Sequence, residues 1–315
     1  MRTSQPHAMP RRRRIARWLG TTALALLVLA GGIAAFVHVA SERRLARDYA
    51  LDVALPAPDP SLRDEGRHLA VSRGCADCHG GDFGGKVIAD AMPFARLVGD
   101  DLTRMPAGHA DRSVHERMYR ALHHGVDLDS RALLMMPSKE FASLSAREIA
   151  ALSAYFASLA PVDRALPGSA LGPLGRVLLV AGKLDGFLSA EEIDHTAAAI
   201  AEPPPTGTLA YGRHAAQLCT GCHRADFAGG RMSHGGPALP PASNLTPHDS
   251  GLAAWSEQDF IHAMRTGRRP DGRALDGNAM PWRAVGQASD LELQSIWRFL
   301  RSLPPVAARD AAAAR

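Results

Sequence analysis

Shifted by 144 residues, the sequence falls on itself: Cys75-Ala76-Asp77-Cys78-His79 meets Cys219-Thr220-Gly221-Cys222-His223. Self-similarity at a fixed offset marks a duplicated module. The match extends beyond the cysteines. Asp82-Phe83 falls on Asp226-Phe227, Pro93 on Pro237, Met136-Pro137 on Met280-Pro281 and Ser145 on Ser289. With small adjustments, Gly125 and Arg131 meet Gly267 and Arg273, and Gly66-Arg67-His68 meets Gly212-Arg213-His214. The chain therefore has to build one small unit twice.

All four cysteines lie in the two pentapeptides. Cys-x-x-Cys-His is the attachment signature of c-type haem, in which two thiols form thioethers with the vinyl groups and the adjacent His sits under the iron. A thioredoxin-like redox pair would need one Cys-x-x-Cys in a βαβ setting, and a zinc site would pair two knuckles over a short loop. Structural disulfides would leave the His after each pair unexplained. The expected cofactors are two covalently bound haem c groups on Cys75, Cys78, Cys219 and Cys222, with His79 and His223 as proximal iron ligands.

A sixth ligand is also expected. Met136 and Met280 each lie 57 residues beyond their motif His and directly before Pro. A thioether at that position raises the reduction potential and closes the iron to outside ligands. Met135 is the rival in the first copy, and Met232 or His234 in the second. His123-His124 offers a bis-His alternative in the first copy. Pro93 and Pro237 are candidates to accept the second ring N–H of the ligand His. Trp282, Arg265 and Trp255 are candidate neighbours of the second haem's propionates. Asp82 and Asp226 read as turn residues, and His195 as part of a solvated surface beside Glu191, Glu192 and Asp194.

The local patterns are helical. Ser145 with Glu148 and Ser289 with Glu292 form capping boxes. Each precedes apolar residues at helical spacing: Ile149, Leu152, Phe156 and Leu159, then Leu293, Ile296, Leu300 and Leu303. Further helices are expected over 113–124 and 256–266, and one before each cysteine motif. Strand signals are scarce. The fold class is therefore all-α: two tandem haem-bearing domains, 60–162 and 206–305, joined by a semi-rigid linker, 163–205. The last residues, 311–315, read as a frayed tail.

The N-terminus sets the location. Residues 1–44 carry eight Arg and one Glu, a net +7, which leaves −3 for the rest of a chain whose formal total is +4. The basic character is thus local, and nucleic-acid binding is not expected. After the basic segment 1–17, residues 18–40 are uncharged. As a helix they reach roughly 35 Å, enough to cross a hydrocarbon core of about 30 Å. The arginines keep the N-terminus cytoplasmic, placing the haem domains in the periplasm on a single-pass inner-membrane anchor. A cleaved signal peptide ending near Gly32-Ile33-Ala34 is the competing reading.

With these motifs placed, the chain resembles the cytochrome c subunits of bacterial membrane-bound alcohol and gluconate dehydrogenases. The resemblance rests on Asn244-Leu245-Thr246-Pro247, Thr266-Gly267 through Asp271-Gly272-Arg273, Met280-Pro281-Trp282 and the phrase 171–176, and it covers most of 60–305. It implies the cytochrome c fold, His/Met ligation, and electron flow from a membrane dehydrogenase towards quinone or an oxidase complex. Those subunits usually carry three haem modules, and this chain has two. The implied role is an electron carrier rather than an enzyme. A dihaem oxidoreductase of peroxidase or thiosulfate-oxidising type is the alternative, and it would need an open or unusually ligated iron.

Overall fold

The computed structural model describes residues 11–53, 55, 57–231 and 239–309. It begins with one long helix, α1 (Arg11–Leu45), whose apolar residues are largely exposed. By length and composition α1 can cross a membrane. Next come α2 (Arg63–Ser72), α3 (Cys75–His79), β1 (Lys86–Ala91), β2 (Ala95–Gly99), α4 (Val114–Tyr119), α5 (Ser138–Phe141), α6 (Ala146–Ala157), β3 (Ala170–Leu171) and α7 (Pro173–Val180). The second copy supplies α8 (Leu209–Ala216), α9 (Thr220–His223), α10 (Glu257–Thr266), α11 (Trp282–Val285) and α12 (Asp290–Arg301).

The two copies repeat the same local physics. Ser145 caps α6, with Glu148 reaching back to its amide, and Ser289 and Glu292 do the same for α12. Two otherwise orphaned amides are satisfied at each helix start. Gly66 of α2 lies so close to α6 that a Cβ would come within 1.8 Å of the Ala151 carbonyl oxygen. Gly212 of α8 meets Ser295 of α12 in the same way, at 2.0 Å. The repeated Gly is thus a helix-crossing contact. One apolar cluster gathers Leu69, Phe83, Met118, Ile149, Leu152 and Phe156; a second gathers Tyr211, Phe227, Phe260, Leu293, Ile296 and Leu300. Burying Ile149 or Leu293, each fully enclosed, contributes about 1.5–3 kcal/mol.

The fold is mostly helical, but the expected all-α class needs correction. Strands β1, β2 and β3 form an antiparallel sheet in that order, with Lys86 opposite Gly99, Ala91 opposite Ala95, and Arg96 opposite Ala170. Its sequence signal is the alternation in 95–99, where Ala95, Leu97 and Gly99 turn inward. The segment 163–205, expected as a semi-rigid linker, closes over this sheet. Leu171, Leu179, Phe187 and Leu188 join Ala95 and Leu97 in a third cluster, against which Leu45 at the end of α1 packs.

The halves meet reciprocally. His68 Nε2 of α2 bonds Glu292 Oε2 at 2.7 Å, and His214 Nε2 of α8 bonds Glu148 Oε2 at 2.8 Å. The repeat thus exchanges partners: each copy's Gly-Arg-His histidine reaches the capping glutamate of the other copy. α5 packs against the turn 217–219, and α11 against α2, so each cysteine segment borders the other copy's post-Met helix.

Candidate functional site: two cysteine–histidine stations

Each motif histidine is held by one backbone carbonyl. His79 Nδ1 lies 2.8 Å from the Asp100 oxygen, and His223 Nδ1 lies 2.7 Å from the Ser243 oxygen. A carbonyl only accepts, so Nδ1 must carry the hydrogen, leaving the Nε2 lone pair for a metal. Burial lowers both histidine pKa values, which favours the neutral ring that a metal needs.

The carbonyls are aimed by a device that also repeats. Asp101 Oδ1 accepts from the Thr103 amide at 2.7 Å and its hydroxyl at 2.6 Å; Asn244 Oδ1 accepts from the Thr246 amide at 2.9 Å and its hydroxyl at 2.8 Å. Leu102 N donates to the Phe83 carbonyl and Leu245 N to the Phe227 carbonyl, both at 2.8 Å. Asp82 and Asp226 hold the intervening turns through the amides of Gly84 and Ala228, in line with their reading as turn residues. An Asx-Leu-Thr triplet thus fixes the residue before it under the histidine.

The expectation for Pro93 is overturned. It sits at the β1–β2 turn, where its carbonyl accepts from Leu174 N at 3.1 Å, and Asp100 takes the histidine contact instead. The repeated Asp101-Leu102-Thr103 and Asn244-Leu245-Thr246 were the signal to follow. Pro237, Met232 and His234 lie outside the described residues.

Met136 packs on the first core cluster and Met280 on the second. Met135 is 47% exposed, with φ +60°. His123 has a carbonyl beside each ring nitrogen, of Ala142 at 3.0 Å from Nδ1 and of Ala197 at 2.9 Å from Nε2. His124 Nδ1 faces His195 Nδ1 at 3.2 Å, and burial together with the neighbouring His123 pulls the His124 pKa down to about 4. His195, expected on a solvated surface, is half-buried, lies with its ring centre 5.0 Å from that of Tyr49 at a 60° tilt, and bonds the Ala190 carbonyl at 2.9 Å.

The residues present fit a covalently held haem. All four cysteines are free thiols, and burial pushes Cys75 up to about 12 and Cys219 up to about 11. In the second copy, Trp282 Nε1 is a buried donor with no hydrogen-bond acceptor, as a group bearing carboxylates would require, and Arg269 Nε makes no hydrogen bond although it pairs with Asp271 at 3.7 Å. Arg265, by contrast, is occupied by the Gly286 carbonyl and by Asp290. Trp255 faces the Arg269 guanidinium 6.0 Å from its ring centre.

A family model described as cytochrome c oxidase, cbb3-type, subunit III matches residues 62–156, a stretch holding the whole first station. Over longer spans the chain is similar to cytochrome c subunits of bacterial membrane dehydrogenases. The fructose dehydrogenase cytochrome subunit of Gluconobacter japonicus is 24% identical over 273 residues, covering 78% of this chain and 53% of that protein. The alcohol dehydrogenase (quinone) cytochrome c subunit of Gluconacetobacter polyoxogenes is 26% identical over 284 residues, covering 80% and 58%. The gluconate 2-dehydrogenase cytochrome c subunit of Pantoea cypripedii is 28% identical over 272 residues, covering 77% and 60%. The chain thus spans a little over half the length of these relatives.

Proposed function

We propose that this chain is a membrane-anchored dihaem c-type cytochrome that carries electrons from a membrane dehydrogenase towards quinone or a terminal oxidase. The observation that carries the reading is the repeated histidine station: two Cys-x-x-Cys-His segments, each with Nδ1–H bonded to a carbonyl and Nε2 left as the ligand atom. In this reading residues 60–162 and 206–305 are two cytochrome c domains facing the periplasm, and 18–40 is the bilayer-crossing part of α1. Similarity to dehydrogenase cytochrome c subunits supports the choice of partner.

Cys75 and Cys78, and Cys219 and Cys222, would hold the two haems as thioethers. His79 with Met136 and His223 with Met280 would ligate the irons. The bound haem supplies an iron that cycles between Fe(III) and Fe(II). The protein's part is to fix the histidine tautomer, enclose the ring and present a docking edge. With Met136 and Met280 as ligands the irons would be closed to outside molecules, and the chain would transfer electrons without transforming a substrate.

The test is purification of the full chain from membranes in mild detergent. Alkaline pyridine spectra should give two haems c per chain, and Met280→Ala should remove one of two Met-ligated near-infrared bands. Rapid carbon monoxide binding by a large fraction of the unmutated haem would instead favour the oxidoreductase alternative. Copurification with a dehydrogenase whose substrate reduces both haems would identify the donor.

A further inference from the structure

The end of α1 is clamped to α7. Arg176 donates to Ser41 Oγ at 2.9 Å and pairs with Glu42 at 2.7 Å; Arg44 donates to the Leu179 carbonyl at 2.6 Å and pairs with Glu191. Residue 176 therefore stands level with 41–42, and 179 with 44. The two helices climb together, so the start of α7 points back along the uncharged stretch that ends at Ala40. Val37 and Ala40 are partly covered, whereas Phe36 and Val39 on the remaining faces are exposed. The folded body thus reaches α1 inside its apolar segment.

At that level the body presents apolar side chains to the outside. Leu174 and Val177, one turn apart on α7, are 49% and 46% exposed, and Met92 in the β1–β2 turn is 51% exposed. The β1–β2 turn is tied to the start of α7 by Leu174 N on the Pro93 carbonyl and Gly172 N on the Phe94 carbonyl. The turn that carries Met92 is thereby joined to the start of α7, which also carries Arg176, and Arg43 is exposed at the end of α1. A short helix with an apolar outer face and arginines at its border suits the boundary between acyl chains and headgroups.

We infer that α7 and the β1–β2 turn dip into the same leaflet that α1 leaves, so that Met92, Leu174 and Val177 rest in lipid. This rests on reading α1 as a membrane span, to whose end α7 is clamped. One consequence concerns the first station. Gly99 at the end of β2 lies where a Cβ would come within 1.9 Å of the Cys78 carbonyl oxygen. The sheet that touches lipid is therefore the one on which the first cysteine motif rests.

The experiment places p-benzoylphenylalanine at Leu174, at Val177 and, as the reference, at the comparably exposed Leu291 (46%) of the second half. The full-length holoprotein is reconstituted into phosphatidylethanolamine and phosphatidylglycerol liposomes, irradiated, and examined for phospholipid adducts by mass spectrometry. Adducts should be several-fold more abundant at 174 and 177 than at 291. Equal yields from a chain that resists carbonate extraction overturn the inference and leave the span standing. Release of the chain by carbonate overturns the span itself and the inference with it.

Discussion

The two halves carry the same histidine station in different surroundings. The first is fastened on every side: α1 through Arg44 and Arg176, the sheet under Cys78, and the segment 163–205 over that sheet. For the second, the ties across the halves are the His68–Glu292 and His214–Glu148 pairs, the turn 217–219 against α5, and α11 against α2. The histidine device occurs in both copies, and among the described residues the three-stranded sheet and the clamp to α1 belong to the first. The difference separates what a station requires from what positions it.

The largest expected effect tests the independence of the stations. Replacing Cys219 and Cys222 with Ala should halve the haem content measured by pyridine spectra while leaving membrane retention intact. The matching change at Cys75 and Cys78 should also halve the haem, and should in addition raise protease sensitivity near 163–205, because the sheet rests on that motif. Identical behaviour of the two variants would erase the contrast.

Core truncation comes next. Ile149→Ala and Leu293→Ala each remove a fully buried side chain, at a cost of about 2–5 kcal/mol. Thermal unfolding should show one transition lowered in each variant if the halves melt separately, and a common transition if the reciprocal pairs couple them.

The pairs themselves predict a pH dependence. The Glu292 bond raises the His68 pKa against the opposing effect of burial. For Glu292, burial pushes the pKa up but is outweighed by hydrogen bonds from His68, Tyr211 and Ser289, so it lies below the ordinary carboxylate range. Glu148 is lowered in the same sense, with burial outweighed by His214. The carboxylates contribute above their ordinary value of 4.5 and lose that contribution as pH falls through their depressed values. His68 contributes fully below 6.5 and loses its contribution as pH rises through its raised value. Calorimetry should therefore find the contact strongest between about pH 4.5 and 6.5. Because the His68 side chain is 40% exposed, the pair is worth at most about 1 kcal/mol. His68→Gln should flatten the alkaline limb.

An effect of similar size concerns the caps. Ser145→Ala and Ser289→Ala should each cost about 1 kcal/mol, read from denaturant midpoints. Ser145 is fully buried, so its loss should be the larger of the two.

Much of this was legible in the sequence wherever a signal is local. The capping boxes at Ser145 and Ser289, the helices they start and the enclosed faces of Ile149 and Leu293 follow from short-range pattern alone. The histidine partner was less so: Pro93 matched Pro237 in the repeat, but matched position says nothing about where a carbonyl points. The Asx turn at Asp101 and Asn244 does, because it fixes the backbone before it. The β1–β2 hairpin had its local signal in the alternation of 95–99, whereas β3 escaped because it is two residues long and pairs with a strand more than seventy positions earlier. His195 escaped for the same reason, since its partners Tyr49 and His124 lie far from it in the chain.

The arginine clamp at Arg44 and Arg176 has a consequence for encounters. A domain on a slack tether tumbles about three axes, and a productive meeting must find all of them. Were α1 seated in a bilayer, with its last turn bolted to the body, rotation about the membrane normal would be the main angular freedom left. Collisions with a membrane partner would then occur at near-constant height in two dimensions, and much of the orientational entropy of docking would be surrendered once, during folding, rather than at every encounter.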